Sequence, residues 1–306
     1  MRAARAAVVT AFGGPEAVEI IDMDLPKPAA RQVRIKVAAA ALNPVDAEVR
    51  AGAFGGEGRR LGLGWDVAGT IDAVGTDAAD GAATGWSVGD EVIALLFAMG
   101  ASLGTHADYV IVDADAVAKA PTKVDAVHAA TLPLNALTAA QALDQLDIQK
   151  GQELLVTGAA GAVGGYAVQL AAHRGISVTA LARESDEELV RSLGAAHFAS
   201  SGGVEAGSVD AVLDAAILGE AALEWVRDGG AYVGVIPQAA PAPVRGVRTG
   251  AVSVTPDGAR LAELVALLDE GVLTARVAET YALGDVVKAH ARLAEGGLRG
   301  RIVLVP

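Results

Sequence analysis

The residues best suited to chemistry in this chain form a short loop of small residues near its middle. Gly158, Gly161 and Gly164 are spaced three apart, after a predicted apolar strand and before a predicted helix. Such a turn lets a diphosphate lie against bare backbone N–H groups at the positive end of a helix. Because Ala159 and Ala160 break a strict Gly-x-Gly-x-x-Gly pattern, a glycine-rich turn of any α/β protein is the alternative. The predicted phosphate-binding backbone belongs to Ala160, Gly161, Ala162, Val163 and Gly164.

An arginine after this loop indicates which nucleotide binds. Enzymes that prefer NAD carry Asp or Glu at the end of the second strand, where it binds the ribose 2′-hydroxyl. Arg183 stands about where that acid would be, and a guanidinium matches a 2′-phosphate. Glu184 could take the NAD role if the register is one residue off, and both side chains could simply be solvated. The sequence favours NADPH over NADH.

The elements that position these residues change in character along the chain. Residues 5–112 are predicted to be mostly β, because glycine turns separate short apolar or alternating runs. From about Pro121 helices alternate with strands, which is typical of a parallel sheet with helices on both faces. The predicted strands are Val8–Ala11, Val18–Ile21, Val33–Ala40, Val67–Val74, Glu91–Leu95, Ala107–Val112, Glu153–Thr157, Ser177–Leu181, Val209–Leu213, Ala231–Ile236 and Ile302–Val305. The predicted helices are Asp125–Leu132, Thr138–Gln145, Val163–Ala172, Glu187–Leu193, Leu261–Leu268 and Asp285–Leu293.

Two shorter stretches carry local signals. Thr76–Ser87 is rich in Ala, Asp, Gly and Thr, which predicts a surface loop. The helix from Glu187 is expected to begin with a capping box over residues 185–188 and to end at Gly194.

Composition narrows the classes of function. The net charge of −13 disfavours binding to nucleic acid. Hydrophobic residues make up 52% of the 306 residues, but no apolar run reaches the ~18 residues of a membrane span. The absence of cysteine excludes disulfides, thiolate nucleophiles and cysteine-bound zinc. The apolar start is too short for a signal peptide, so we expect a cytoplasmic protein.

Seven motifs occur in an order that characterises a known family. They are Phe12-Gly13-Gly14-Pro15, Leu42-Asn43-Pro44-Val45-Asp46, Gly64-Trp65-Asp66-Val67-Ala68-Gly69, Val88-Gly89-Asp90-Glu91-Val92, Leu137-Thr138-Ala139, Ala159-Ala160-Gly161-Ala162-Val163-Gly164 and Leu298-Arg299-Gly300-Arg301-Ile302-Val303-Leu304. With these motifs the chain resembles the zinc-independent quinone oxidoreductases of the medium-chain dehydrogenase/reductase superfamily, the branch that includes zeta-crystallin. The resemblance implies an α/β protein with a GroES-like β domain (1–120 and 273–306) and a Rossmann domain with a doubly wound parallel sheet (121–272).

The chain departs from the zinc-dependent branch of this superfamily. Zinc alcohol dehydrogenases have cysteine where this chain has Asn43 and histidine where it has Trp65. A carboxamide is a poor zinc ligand and an indole is none, so we expect no metal. Without a Lewis acid, conjugated acceptors such as quinones or enones are favoured, because hydride goes to carbon and the charge spreads onto an oxygen.

The resemblance also implies site residues. Thr138 is expected near the nicotinamide and Ile236 on its other side, and Arg299 either approaches the cofactor or belongs to a turn. Asn43 is the first candidate hydrogen-bond donor to the substrate oxygen and is also counted with the cofactor-binding residues. As an Asn before proline, it could instead only cap or turn the backbone. Asp46 is a second catalytic candidate, although pairing with Arg50 one helical turn on is favoured.

Three further residues leave alternatives open. Phe54 stands where related quinone oxidoreductases commonly have tyrosine, so it keeps an apolar wall and loses a proton donor. His106 could substitute as that donor or be structural. Trp65 could fill the space of the metal or form an aromatic wall for a flat substrate.

The sequence as a whole predicts an NADPH-dependent, metal-free oxidoreductase that reduces a quinone or an α,β-unsaturated carbonyl. A dedicated biosynthetic enoyl or ketone reductase is the alternative within the enzymes. A non-catalytic NADPH-binding protein is the alternative outside them, and the loss of tyrosine at Phe54 is its best support. Self-association as a homodimer is expected from the resemblance alone, with no nucleic-acid or membrane partner.

Overall fold

The computed structural model describes residues 3–75 and 85–306. Contacts divide the chain into two compact units: the first comprises Met1–Leu134, Thr255–Asp269 and Ala275–Pro306, and the second Asn135–Val254 and Glu270–Thr274. Residues 121–134 and 255–269 belong to the first unit and residues 273–274 to the second, whereas the resemblance assigns the former to the Rossmann domain and the latter to the GroES-like domain. Of the surface loop predicted over Thr76–Ser87, residues 76–84 lie outside the described part of the chain.

Strands and helices alternate in the second unit, whereas strands dominate the first. In chain order the strands are β1 (Ala3–Val9), β2 (Val18–Asp24), β3 (Gln32–Leu42), β4 (Leu61–Gly62), β5 (Asp66–Val74), β6 (Glu91–Leu95), β7 (Tyr109–Asp113), β8 (Val117–Lys119), β9 (Glu153–Thr157), β10 (Ser177–Leu181), β11 (His197–Ala199), β12 (Val209–Asp214), β13 (Val226–Gly234), β14 (Arg248–Ala251), β15 (Val277–Ala282) and β16 (Arg301–Val305). The helices are α1 (Pro44–Ala51), α2 (Ala126–Ala129), α3 (Pro133–Leu146), α4 (Ala162–His173), α5 (Glu187–Ser192), α6 (Glu220–Leu223), α7 (Gly258–Asp269) and α8 (Val286–Glu295).

The first unit is built on two sheets of largely antiparallel strands. One sheet has the order β2-β1-β4, and the other the order β15-β16-β3-β5-β6-β8, with β7 also paired to β3. Strand β16 runs antiparallel to β3 and parallel to β15. Two apolar clusters fill this unit; one packs β3, β5 and β6 side chains, and the other packs β16 and α8 against the start of the chain.

The second unit is a parallel sheet of order β11-β10-β9-β12-β13-β14. Each neighbouring pair in it is parallel. Strand β9 lies at the point where the order reverses, with β10 on one side and β12 on the other, and this is where nucleotides bind in doubly wound sheets. The predicted fold class, a GroES-like β domain plus a Rossmann domain with a doubly wound sheet, is confirmed.

Local elements differ from the prediction where propensity competes with tertiary pairing. Strand β1 covers Ala3–Val9 rather than Val8–Ala11, because the alanines pair along their whole length with β2. The helix predicted over Asp125–Leu132 is only α2, and α3 begins at Pro133, where proline suits a first helical turn. Strands β4, β8, β11, β14 and β15 and helices α1 and α6 were not predicted.

The capping box expected at residues 185–188 is wrong. Ser185 lies within a 3₁₀ turn over Glu184–Asp186, so Asp186 takes the N-cap position of α5. The expected end of this helix holds, since Gly194 follows it with a φ of 104°. Every helix among the described residues is too short or too polar to cross a membrane.

Candidate functional site

The glycine loop follows β9 at the carboxyl edge of the parallel sheet. Gly161 is the N-cap of α4, and its N–H bonds the carbonyl of Gly158 at 2.8 Å to close the turn. A Cβ on Gly164 would lie 2.3 Å from the Gly158 carbonyl oxygen, so only glycine fits where helix and loop meet. The first-turn N–H groups of α4 have no partner within the helix. They form the kind of cradle that binds a diphosphate, as the sequence predicts.

A buried hydrogen-bond network fixes the segment that follows β12, beside this loop. Asp214 is fully buried and accepts from the Thr157 hydroxyl at 2.5 Å and from the Tyr232 hydroxyl at 2.8 Å. The Asp214 carboxylate also accepts the backbone N–H of Gly219 at 2.8 Å. The Thr157 hydroxyl oxygen accepts the backbone N–H of Ala216 at 3.0 Å. Burial and the Asp214 carboxylate raise the pKa of Tyr232, which keeps its hydroxyl protonated as a donor. Three strand ends are thereby joined at the switch point of the sheet.

The remaining predicted cofactor residues of the second unit lie on different elements. Arg183 is exposed after β10, and its guanidinium has no ion pair with any residue in the described part of the chain. Glu184 is exposed beside it in the 3₁₀ turn. Thr138 is buried in α3, and Ile236 is 37% exposed after β13. Within residues 3–75 and 85–306 no carboxylate pairs with the exposed guanidinium of Arg183, which is available for a phosphate.

Asn43 and Asp46 meet in the first unit as the ends of one capping box. Asn43 is the N-cap of α1, and its backbone N–H bonds Asp46 Oδ2 at 2.8 Å. Asp46 Oδ1 accepts the N–H of Gly64 at 2.7 Å. Both carboxylate oxygens of the buried Asp46 therefore accept backbone N–H groups, and the predicted pairing of Asp46 with Arg50 is wrong.

Asp66 completes this cluster and was missed by the sequence reasoning. It is fully buried at the start of β5, where it accepts from Asn43 Nδ2 at 2.6 Å and from the N–H of Leu134 at 2.6 Å. Burial raises its pKa to about 7, although these two hydrogen bonds and the charge of Arg301 oppose the shift. The Asn43 side-chain amide thus donates to a carboxyl group, and its Nδ2 also lies 3.5 Å from the Ala41 carbonyl oxygen.

Arg50 takes a partner from the far end of the sequence. Its Nη1 lies 2.9 Å from Nδ1 of the buried His290 in α8, and its Nε donates to the Gly13 carbonyl at 3.2 Å. Because arginine only donates, His290 Nδ1 accepts and Nε2 carries the proton. Burial, with the charges of His106 and Arg50, lowers the pKa of His290 to about 3.

The other residues singled out in the first unit are spread over several loops. His106 is buried, and its Nε2 lies 3.0 Å from the Ala41 carbonyl. Trp65 is 3% exposed and meets Phe97 edge to face, with ring centroids 5.0 Å apart. Phe54 is 42% exposed just after α1, and Arg299 Nη1 donates to the Leu298 carbonyl at 3.2 Å.

The donor set offers little to a metal. Asn43 and Trp65 occupy the two expected ligand positions, and the Asn43 amide is bonded to Asp66. Within residues 3–75 and 85–306, no group of three or more His, Cys, Asp or Glu side chains could hold a metal ion.

Comparisons with known proteins point in one direction. Residues 29–122 match the alcohol dehydrogenase GroES-like domain family, and residues 186–304 match a family described as zinc-binding dehydrogenase. A 2-methylene-furan-3-one reductase of Solanum lycopersicum is 32% identical over 289 residues, which cover 90% of this chain and 72% of that protein. A chloroplastic NADPH-dependent alkenal/one oxidoreductase of Arabidopsis thaliana is 32% identical over 317 residues, covering 99% and 79%. The solved structure of a quinone oxidoreductase from Coxiella burnetii superposes with a TM-score of 0.87 at 26% identity, over 100% of both chains.

Proposed function

The chain belongs to the quinone oxidoreductase group of the medium-chain dehydrogenase/reductase superfamily, and we propose that it is an NADPH-dependent, metal-free reductase of quinones or α,β-unsaturated carbonyls. The observation that carries the proposal is the glycine cradle after β9, where a Cβ on Gly164 would strike the Gly158 carbonyl. Relatives with 32% identity are named as reductases of an enone and of alkenals and alkenones. Both acceptor classes share a carbon that takes hydride and an oxygen that takes charge.

The residues present fit a dinucleotide. The backbone from Ala160 to Gly164 would hold the diphosphate, and the exposed guanidinium of Arg183 would hold the 2′-phosphate. Thr138, Ile236 and Arg299 are proposed near the nicotinamide on the family resemblance. When bound, NADPH supplies a hydride. The Asp214 network supports this assignment by holding the neighbouring strand ends rigid.

The acceptor side of the proposal concerns Asn43, Asp46 and Phe54. The Asn43 side-chain amide is the donor proposed for the acceptor oxygen, and Asp66 positions it by accepting from its Nδ2 at 2.6 Å. Asp46 acts by fixing the turn that carries Asn43, because both its oxygens hold backbone N–H groups. Phe54 offers an apolar wall and no proton, so the product oxygen or carbon takes its proton from water.

Further parts of the proposal rest on resemblance and composition. We propose a cytoplasmic homodimer, in keeping with the family. The net charge of −13 argues against a nucleic-acid partner. The residues at positions 43 and 65 support a reaction without zinc, although residues 186–304 match a family described as zinc-binding dehydrogenase.

The test of this function is oxidation of NADPH and NADH against parallel panels of quinones, enones and simple aldehydes. We expect turnover with quinones or enones well above the spontaneous rate, with NADPH preferred and aldehydes inactive. Aldehyde activity that rivals the others would contradict the metal-free assignment. No turnover with any acceptor would favour a non-catalytic NADPH-binding protein.

Arg183→Ala tests the choice of cofactor. Losing charge-assisted hydrogen bonds to a phosphate is expected to raise the KM for NADPH about tenfold or more and to leave that for NADH unchanged. Arg191→Ala is the matched control, since Arg191 is an exposed arginine paired with Glu187 on α5. Equal effects of Arg183→Ala on both cofactors would remove the 2′-phosphate assignment, and an NADH defect in Glu184→Ala would point to NAD.

A further inference from the structure

The indole of Trp65 holds a buried hydrogen-bond donor that no described residue satisfies. Its Nε1 is inaccessible and has no partner among residues 3–75 and 85–306, in a side chain that is 3% exposed. An indole N–H can only donate, so it needs an acceptor. Trp86 illustrates the usual solution, because its Nε1 donates to the Ala114 carbonyl at 3.0 Å. An unpaired buried N–H is costly, and such groups point to a missing ligand or water.

Two neighbouring side chains share this property. Thr105 Oγ1 and His106 Nδ1 are also buried without a partner in the described part of the chain. The backbone N–H of Thr105 bonds the carbonyl of Gly64, directly before Trp65, at 3.1 Å. Gly64 has a φ of 95°, and a Cβ there would lie 2.4 Å from Thr105 Oγ1. The two segments therefore lie in close contact.

Phe97 covers the indole of Trp65 on its solvent side. Its ring meets the indole edge to face with an interplanar angle of 74°, and it is 47% exposed. A large apolar side chain left this open offers its free area to an apolar ligand. Movement of the Phe97 ring away from the indole would expose Nε1 to the oxygen of a flat conjugated ring or chain, which would then lie along Phe97.

We propose that Trp65 Nε1–H donates a hydrogen bond to the carbonyl oxygen of the enone or quinone acceptor, with Phe97 covering the acceptor's apolar part. This inference rests on the proposed function and names a donor for it. In an enone the β-carbon gains a hydride from the reduced nicotinamide, the C=C electron pair shifts toward the carbonyl, and negative charge gathers on the oxygen. Water then supplies one proton, which completes the two-electron reduction. A neutral donor that cannot ionise stabilises that oxygen as the charge develops.

The first experiment observes the donor itself. The chain has three tryptophans and no cysteine, so cyclohex-2-enone can be titrated without thiol addition into ¹⁵N-labelled protein that holds NADP⁺, which cannot reduce it. Trp65→Phe assigns the Trp65 indole N–H signal by its loss. We expect this signal to move downfield on saturation, while the Trp86 signal stays in place. If Trp65→Phe does not fold, Trp86→Phe and Trp225→Phe assign the signal by elimination.

The second experiment measures turnover. Trp65→Phe keeps an aromatic ring against Phe97 and is expected to lower kcat/KM for the acceptor about tenfold or more, with the KM for NADPH unchanged. Trp86→Phe is the matched control and is expected to leave kcat/KM unchanged. An immobile Trp65 signal, or a folded Trp65→Phe with full kcat/KM, would overturn the inference while wild-type turnover keeps the proposed function. Wild-type protein without any turnover would instead remove the proposed function, and the titration would still report whether Trp65 binds the ketone.

Discussion

Each compact unit buries a group of polar side chains, and the two groups differ in how completely their hydrogen bonds are made. In the second unit, the Asp214 carboxylate accepts from Thr157, Tyr232 and the backbone of Gly219. In the first unit, within the described residues, one buried polar atom is left without a partner on each of Trp65, Thr105, His106 and His290.

We interpret the satisfied group around Asp214 as a structural support and the unsatisfied group around Trp65 as a surface for binding a ligand. A fully satisfied buried network is rigid and needs no ligand, so the Asp214 group can hold strand ends in fixed positions. Unsatisfied buried groups lower stability until something completes them. The first unit therefore bears a cost that an acceptor molecule can relieve, whereas the second unit provides a fixed cradle.

The largest effect is expected at the cradle itself. In Gly164→Ala the new Cβ would meet the Gly158 carbonyl at 2.3 Å, and since both are held by backbone, the loop must shift. Losing one or two charge-assisted contacts to the diphosphate should weaken NADPH binding about 100-fold, measured by calorimetric titration. Gly284→Ala is the control, because a Cβ there meets nothing within 4 Å. Wild-type affinity in Gly164→Ala would show that the cradle is not where NADPH binds.

The next effect concerns the satisfied network. Asp214→Asn turns an amide N–H₂ toward donors and leaves buried groups unpaired, so the free energy of unfolding should fall by about 3 kcal/mol. Tyr232→Phe removes a single hydrogen bond and should cost about 1 kcal/mol. Urea unfolding at pH 7 measures both. If Asp214→Asn lowers the free energy of unfolding no more than Tyr232→Phe does, the hydrogen bonds of Asp214 do not act together as one network.

The smallest effect concerns acid sensitivity in the first unit. The pKa of His290 is about 3 when folded and 6.5 ordinarily, so the unfolded chain binds more protons between these values. Stability from this group is complete above pH 6.5 and is lost as the pH falls, by about 2 kcal/mol at pH 5. The glutamine of His290→Gln cannot titrate. As the pH falls to 5, the free energy of unfolding of this variant should therefore decrease by about 2 kcal/mol less than that of the wild type.

The measurement for His290→Gln is the difference in unfolding free energy between the two proteins at pH 7.5 and pH 5. Asp66, with its pKa raised to about 7, changes stability in the opposite sense, since its contribution falls as the pH rises from about 4 to 7. That change is common to both proteins and cancels. A pH-independent difference would mean that His290 is not the acid-sensitive group.

The sequence predicts best those features that depend on residues close together in the chain. Strands β9 and β10 and the glycine turn between β9 and α4 were predicted correctly, because apolar runs and glycines act within a few residues. Asp66 was missed because its partners Asn43 and Leu134 are 23 and 68 residues away. Nothing local distinguishes a buried carboxylate with partners from one at a strand end facing water.

For Arg50 the local sequence predicted a partner that the structure does not show. A helical spacing of four residues favours an ion pair with Asp46, but the Asp46 carboxylate accepts the backbone N–H groups of Asn43 and Gly64 instead. Arg50 instead reaches His290, 240 residues along the chain. Pairing across such a separation is decided by the sheet topology, in particular by β16 and α8 packing with the first strands.

The position of β16 in its sheet sets the order in which the chain can mature during synthesis. Strand β16 (Arg301–Val305) lies between β15 and β3, yet it leaves the ribosome after every residue of the second unit. Until then β3 offers free N–H and C=O groups along Ala40–Leu42, a template for pairing with a wrong strand. The second unit can fold before synthesis ends, whereas β3 in the first unit stays unpaired along Ala40–Leu42 until β16 is made. A nascent chain that is truncated before β16 is therefore expected to be prone to aggregation.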